Sequence, residues 1–327
     1  MALRSGLGSQ IGWATEETVG TYKAPSAFGL YESETLDLTK QYIESHGLAA
    51  GRLSQRQNLH IATTRAVAGD FTLELLESGF GKLFNLLNGA ANTPVKTETK
   101  TYTAKFEVGL TDPYGKALTI QVGRPDTSGV VRAFSYVGCK IVGMSIAVAA
   151  GGTMVLTVTV DGIDEKTGEA LATASYSATA LPFSFEGMTC KIGGSTVAYV
   201  KSMTINITIP QATDRYLIGS AGLKAEPIIN DLVAVTADAE MEFASLASHE
   251  RFTKAEVVEL QLLGKGQKIE ASNFCAANFT MPAAKQISDS EPVSGPDLLT
   301  ESVSFMALDN GVKAPLTIET VSEDSAL

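Results

Sequence analysis

The chain is written mostly in period-two alternation. Leu36 and Leu38 alternate with Asp37 and Thr39, and Leu118, Ile120 and Val122 with Thr119 and Gln121. Met203, Ile205 and Ile207 alternate with Thr204, Asn206 and Thr208 until Pro210 ends the run. Each pattern predicts a strand with one buried and one wet face. Residues 141–160 carry no charge over twenty positions, a length that could span a membrane as a helix. Gly151 and Gly152 divide the run, however, and Met154, Leu156, Val158 and Val160 then alternate with Thr153, Val155, Thr157 and Thr159. That pattern predicts a β-hairpin. Asp112-Pro113-Tyr114-Gly115, Asp161-Gly162 and Asp309-Asn310-Gly311 read as turns. Helical signal is scarce. Phe80, Leu83, Phe84 and Leu87 follow helical spacing, with Ser78 as N-cap and Gly89 as stop. A second short helix is predicted from Ser248 to Ala255.

The two halves share this grammar. Val67-Ala68-Gly69-Asp70-Phe71-Thr72-Leu73-Glu74-Leu75 aligns without a gap on Val235-Thr236-Ala237-Asp238-Ala239-Glu240-Met241-Glu242-Phe243. Phe71, Leu73 and Leu75 then fall on Ala239, Met241 and Phe243. Each strand leads into a short helix and then another strand, Thr101–Val108 in the first half and Val257–Leu263 in the second. Upstream, Leu36–Thr39 corresponds to Met203–Ile207. The pattern predicts an internal duplication of a β-rich unit, with the boundary in the Thr- and Ala-rich stretch 171–180. The expected division is an N-terminal arm at 1–30, a first unit at 31–170 and a second at 181–327. Gln41–His60 is too polar for a core and reads as a loop or as an extended arm that orders on a neighbour.

Composition narrows the function classes. Hydrophobic residues make up 44% of 327, enough for a sizeable core. The net charge is −11, which argues against gripping nucleic acid through its phosphates. It does not argue against letting nucleic acid pass. Cys139, Cys190 and Cys275 are odd in number and widely spaced, so a disulfide framework is not expected and a reducing compartment is the simpler reading. No apolar stretch of the secretory kind follows Met1, so a standard signal peptide is not expected. Candidate chemistry is thin. His46, His60 and His249 form no metal-binding motif, no cysteine pair has zinc spacing, and Gly6–Gly12 misses the dinucleotide fingerprint by one residue. Neither an enzyme nor a cofactor is expected.

One repeated constellation stands out. Asp70, Thr72 and Glu74 share one strand face, and Asp238, Glu240 and Glu242 share the equivalent face in the second half. A solvated face explains either one alone. Its repetition suggests a negative surface required twice.

The opening Gly6-Leu7-Gly8-Ser9-Gln10-Ile11-Gly12-Trp13-Ala14-Thr15-Glu16-Glu17-Thr18-Val19-Gly20-Thr21 resembles the start of major tail tube proteins of long-tailed, non-contractile (siphovirus-type) bacteriophages. Glu32–Leu36, the loop to Arg52, Gly79-Phe80-Gly81-Lys82-Leu83, Val200–Ile207 and Val235–Phe243 are similar to that family too. The resemblance implies two tandem β-sandwich or barrel-like tube domains, each with a short flanking helix, assembled into stacked rings around a lumen that DNA crosses on ejection. It implies a virion location, assembly in the host cytoplasm, and other tail proteins (tape measure, terminator, tip) as partners. Asp70, Thr72, Glu74, Asp238, Glu240 and Glu242 would line the lumen, where carboxylates repel phosphate. Gly47, Arg52, Arg56 and His60 would lie in the loop that contacts a neighbouring ring. A duplicated chain could build a pseudo-sixfold ring from three copies; six copies with the second unit outside the wall is the alternative. A capsid decoration protein, a tail terminator and a bacterial surface-fibre subunit remain competing readings.

Overall fold

The computed structural model describes residues 4–44, 46–47, 51, 53–54, 56–90, 92–293 and 295–327. The described strands of the first half are β1 (Gln10–Thr15), β2 (Ala27–Gly29), β3 (Tyr31–Glu34), β4 (Asp37–Glu44), β5 (His60–Glu74), β6 (Val95–Lys96), β7 (Tyr102–Val108), β8 (Leu118–Pro125), β9 (Val131–Ala149), β10 (Val155–Gly162) and β11 (Asp164–Lys166). Those of the second half are β12 (Met188–Ile192), β13 (Ser195–Val197), β14 (Val200–Thr208), β15 (Ala234–Glu242), β16 (Val257–Glu270), β17 (Asn273–Ser290), β18 (Thr300–Ala307) and β19 (Leu316–Ser322). Two α-helices, α1 (Gly81–Leu86) and α2 (Ala247–Thr253), accompany them. The uncharged run is indeed a hairpin: β9 and β10 pair across a turn in which Gly151 takes φ 77°. No helix among the described residues is long and apolar enough to cross a membrane.

All pairings described are antiparallel, and those of the first half, apart from β6 with β7, recur in the second. β5 joins β10 as β15 joins β18, and β10 joins β9 as β18 joins β17. β8 joins β9 and β1 as β16 joins β17 and β12, and β1 joins β2 as β12 joins β13. β9 takes β11 as β17 takes β19. Even the irregularities repeat. The register slips between Gly143 and Ile141 of β9 as it does between Ser288 and Gln286 of β17. It slips between Leu118 and Ile120 as between Val258 and Leu260, and between Tyr31 and Ser33 as between Val200 and Ser202. Bulges re-aim strands and set twist; three at matching places mean one backbone design used twice.

Each unit is two-layered. The long strands β9 and β17 serve both layers, pairing with outer strands through their first halves and inner strands through their second. The core lies between the layers. In the first unit Trp13 of β1 stacks on Phe71 of β5 at 6.3 Å between ring centroids. Val67, Phe71, Leu73, Leu156, Val158, Ile205, Met241 and Phe305 are all buried along the inner strands. The register that places them there would, slipped by one residue, expose the whole apolar set. Inner strands of the two units join where β9 pairs with β14, from Gly143↔Thr208 to Ala149↔Ser202. The result is one eight-stranded inner sheet in the order β3/β4–β5–β10–β9–β14–β15–β18–β17.

Several expectations change. β7 is not the counterpart of β16, because β8 occupies that place and β7 instead pairs with β19 of the second unit. Asp161-Gly162 is no turn: both residues continue the ladder of β10 with β5. The residue before α1 that acts as its N-cap is Phe80, not Ser78. Residues 1–30 differ from an arm from Gln10 onward. β1 is laid between β2 and β8, with Ile11 and Trp13 buried. Gly12 permits this, since a Cβ there would stand 2.6 Å from the Phe28 ring. The segment Gln41–His60 likewise begins and ends as strand: β4 pairs with β5 as far as Glu44↔His60.

Candidate functional site

Asp70, Thr72 and Glu74 of β5 and Asp238, Glu240 and Glu242 of β15 all lie on the face of the inner sheet opposite the core. The alternation of buried Phe71 and Leu73, and of buried Ala239 and Met241, requires it. The ladder connects them. Glu74 pairs across Val155, Ala147 and Thr204 to Asp238, which continues to Ser304. Glu74 and Asp238 are thus in one cross-strand row, four strand spacings or about 19 Å apart. The row beside it runs Thr72, Thr157, Ser145, Asn206, Thr236.

The face is polar and ordered. Thr72 and Thr157 share a hydroxyl hydrogen bond of 3.1 Å. The Thr153 hydroxyl donates to Glu74 Oε1 at 3.2 Å. Asn206 Nδ2 and Ser304 Oγ donate to the two oxygens of Asp238 at 3.1 and 2.6 Å. Neutral donors fix these carboxylates without cancelling their charge. Lys201 reaches Glu242 only at 3.9 Å, with both side chains substantially exposed, a pairing worth little in water.

The inner sheet has two open ends. Among the described residues, β4 has no partner on the side away from β5 at one end, and the stretch Gln286–Ser290 of β17 has none on the side away from β18 at the other. The first edge carries the projecting β4–β5 hairpin, where Tyr42, Ile43 and Ile61 are 51%, 58% and 55% exposed. His60 stacks on Tyr42 at 4.7 Å and lies 3.9 Å from Glu44. Arg56 and Gly47 of the same segment are exposed. Arg52 lies outside the described residues. Exposed apolar side chains on a projecting hairpin are the kind of surface that assembly covers.

Sequence reasoning missed a clasp between the units. The segment between β14 and β15 crosses back over the first unit. There Lys224 Nζ contacts both carboxylate oxygens of Asp161 at 2.5 Å, and Lys140 pairs with Glu226, with both lysines buried. Burial pushes the Asp161 carboxyl up from its ordinary value, and Lys224 pulls it back. The backbone approaches too: Arg65 N donates to the carbonyl of Gly222 at 3.0 Å, and a Cβ at Gly222, which has φ +80°, would collide with Thr63 O. The only hint in the sequence was an Asp within a strand pattern and a Lys 63 residues later.

All three cysteines are buried and free. Burial pushes the Cys190 thiol up to about 11 and Cys275 to about 12, and Cys139 rises well above its ordinary value. A thiol held protonated is a poor nucleophile.

Residues 6–307 match a family described as phage tail tube protein. A search of the curated proteins returned no match.

Proposed function

The chain belongs to the phage tail tube protein family, and we propose from its inner sheet that three copies close edge to edge into a ring whose acidic inner face lines the passage for DNA. A tail tube protein is a structural component of the virion that assembles with copies of itself and with other tail proteins. The copy number, the lumen residues and the division into units at 31–170 and 181–327 belong to this reading.

The observation that carries it is the in-chain junction. β14 of the second unit pairs with β9 of the first, and apart from the pairs made by β7 the ladders of one unit recur in the other. The open edge of β17 is the counterpart of the β9 edge, and β3–β4 is the counterpart of β14. The same junction between copies would set Thr39 opposite Ser288, Leu38 opposite Asp289 and Asp37 opposite Ser290. It would also remove both exposed edges, which a free sheet otherwise leaves as sites of unwanted pairing.

The stagger supports closure. A row drawn from Asp70 passes Thr159, Gly143 and Thr208 and reaches Ala234. The counterpart of Asp70 is Asp238, four residues further on. Four residues of stagger per four strands, with about 3.3 Å per residue and about 4.8 Å between strands, tilts the strands by about 35°. That is the tilt at which sheets close into barrels. Three copies give 24 inner strands and a cylinder about 45 Å across at the backbone. Both units lie in the same sheet, which disfavours six copies with the second unit outside the wall. The polar face would then point inward, and its fixed carboxylates would repel the DNA phosphates along the whole bore. The β4–β5 hairpin, with Gly47, Arg52, Arg56 and His60, would reach the adjacent ring.

A double variant tests the junction. Thr39→Cys with Ser288→Cys puts two thiols at the positions held by Thr208 and Gly143 in the in-chain pair. Oxidation of assembled tubes should yield covalent closed trimers on a denaturing gel. A ladder extending to six chains would replace three copies by six. Monomers only, from tubes of normal appearance, would show that this edge is not the contact.

A further inference from the structure

The structure assigns a second feature to the second unit alone, independent of the ring: we propose that His249, Asp289 and Glu291, with Glu301 beside them, bind a divalent transition-metal cation of the Mn²⁺ or Zn²⁺ kind. The site lies where the end of β17 and the start of β18 meet α2.

The first observation is geometric. Ligand atoms of His249, Asp289 and Glu291 all lie within 4.8 Å of one another. His249 Nδ1 is 3.0 Å from Asp289 Oδ2. The Asp289 side chain is 1% exposed while that of His249 is 51% exposed, so the imidazole caps a buried carboxylate from the solvent side. Glu301 lies on β18 two residues before Val303, the cross-strand partner of Asp289, so it projects into the same interior stripe. It is 2% exposed.

The second observation is independent of the clustering. Asp289 Oδ1, Glu291 Oε1 and Glu301 Oε2 are buried and have no hydrogen-bond partner among the described residues, and neither has Oε1 of nearby Gln286. Buried carboxylate oxygens without a donor or a counter-ion are costly, which is why such charges are ordinarily paired or coordinate metals. Arg251 of α2 offsets the charge of Glu301 only in part. Burial, Asp289 and Glu291 together push the Glu301 carboxyl up to about 7 against the pull of Arg251. Burial and Asp289 raise Glu291 as well.

The first unit shows that the fold does not need acids here. The counterparts of Asp289, Glu291 and Glu301 are Met144, Ile146 and Leu156, which are buried and pack against the core. An apolar stripe fills the same backbone without strain. Three carboxylates and a histidine in its place form a donor set with a chemical purpose. Nitrogen from imidazole together with carboxylate oxygen suits Mn²⁺ or Zn²⁺, whereas Ca²⁺ takes oxygen ligands alone. A bound cation would neutralise the stripe and tie α2 to the strand edge. Binding only the folded chain, it would also stabilise the fold by mass action.

The purified chain titrated with Mn²⁺ should remove the free-ion electron paramagnetic resonance signal saturably, at one ion per chain. Zn²⁺ should displace it and Ca²⁺ at equal concentration should not. Asp289→Asn with Glu291→Gln keeps size and removes charge, and should bind at least tenfold more weakly. His249→Ala, at an exposed helix position, leaves the core untouched and should weaken Zn²⁺ binding by a similar factor, which guards against misfolding of the double variant. Wild-type thermal unfolding should rise with Mn²⁺ and that of the variants should not. Absence of saturable binding up to millimolar Mn²⁺, or binding in His249→Ala equal to wild type, would overturn the site.

Discussion

The two units share a backbone register down to three bulges, yet fill it differently. Where the first unit stacks Trp13 on Phe71, the second has Ile192 and Ala239 at the corresponding places. Where the first unit buries Met144, Ile146 and Leu156, the second buries carboxylates. What they keep in common is the other face: Asp70 and Glu74 against Asp238 and Glu242. Core positions of a duplicated fold are free to drift as long as volume and polarity are compensated locally. The polar face has no packing constraint of its own, so its retention in both units calls for another reason. A shared lumen supplies one.

The sharpest break in this comparison is at Phe71. It is fully buried and stacked on Trp13, so Phe71→Ala should cost about 3–5 kcal/mol in denaturant unfolding. The counterpart change, Ala239→Gly, removes one methyl group from a strand and should cost about 1 kcal/mol. Equal losses at the two sites would mean that the second unit's core is tighter than its residues indicate.

The clasp between the units comes next. Lys224→Met leaves Asp161 buried without its cation and should cost about 3 kcal/mol. Adding Asp161→Asn should recover most of that loss, because the pair as a whole is near break-even while a lone buried charge is not. If the single variant is as stable as wild type, Lys224 is not the counter-charge and the units are held by the sheet alone.

These contrasts show what could be read from residue order. The alternation at 118–122, at 203–207 and around Gly151-Gly152 was legible because a half-buried strand must alternate. The duplication was legible because Val67–Leu75 and Val235–Phe243 keep both their apolar and their acidic positions. β7 reads as the counterpart of β16 for a physical reason. Ala104, Phe106 and Val108 alternate as Leu260 and Leu262 do, and alternation reports a face, not a neighbour. β1 was hidden by glycines that read as a flexible arm, although Gly12 is there to let Phe28 approach. Asp161 read as a turn residue because its partner Lys224 is distant in sequence. The carboxylate stripe was hidden in the same way: Ser288-Asp289-Ser290-Glu291-Pro292 has the composition of a loop, and only the pairing of Asp289 with Val303 turns it inward.

The smallest expected effect is the most informative about function, because it compares the units directly. In one variant Asp70 and Glu74 are changed to Lys; in another, Asp238 and Glu242. If both units line one lumen, the two variants place the same number of positive charges at the same radius of the wall. Each change is on the sheet face away from the core, so ring assembly should survive in both. Lysines there would hold DNA phosphates by counter-ion release. DNA ejection from virions carrying either variant should slow by about threefold at low ionic strength, or about 0.6 kcal/mol. The effect should fade as salt shortens the Debye length from about 30 Å at 0.01 M to about 8 Å at 0.15 M. The equality of the two variants is the discriminating feature. Slowing by the first-unit variant alone would place the second unit away from the DNA and favour six copies over three. Unchanged ejection in both, at low salt, would remove the acidic face from the lumen altogether.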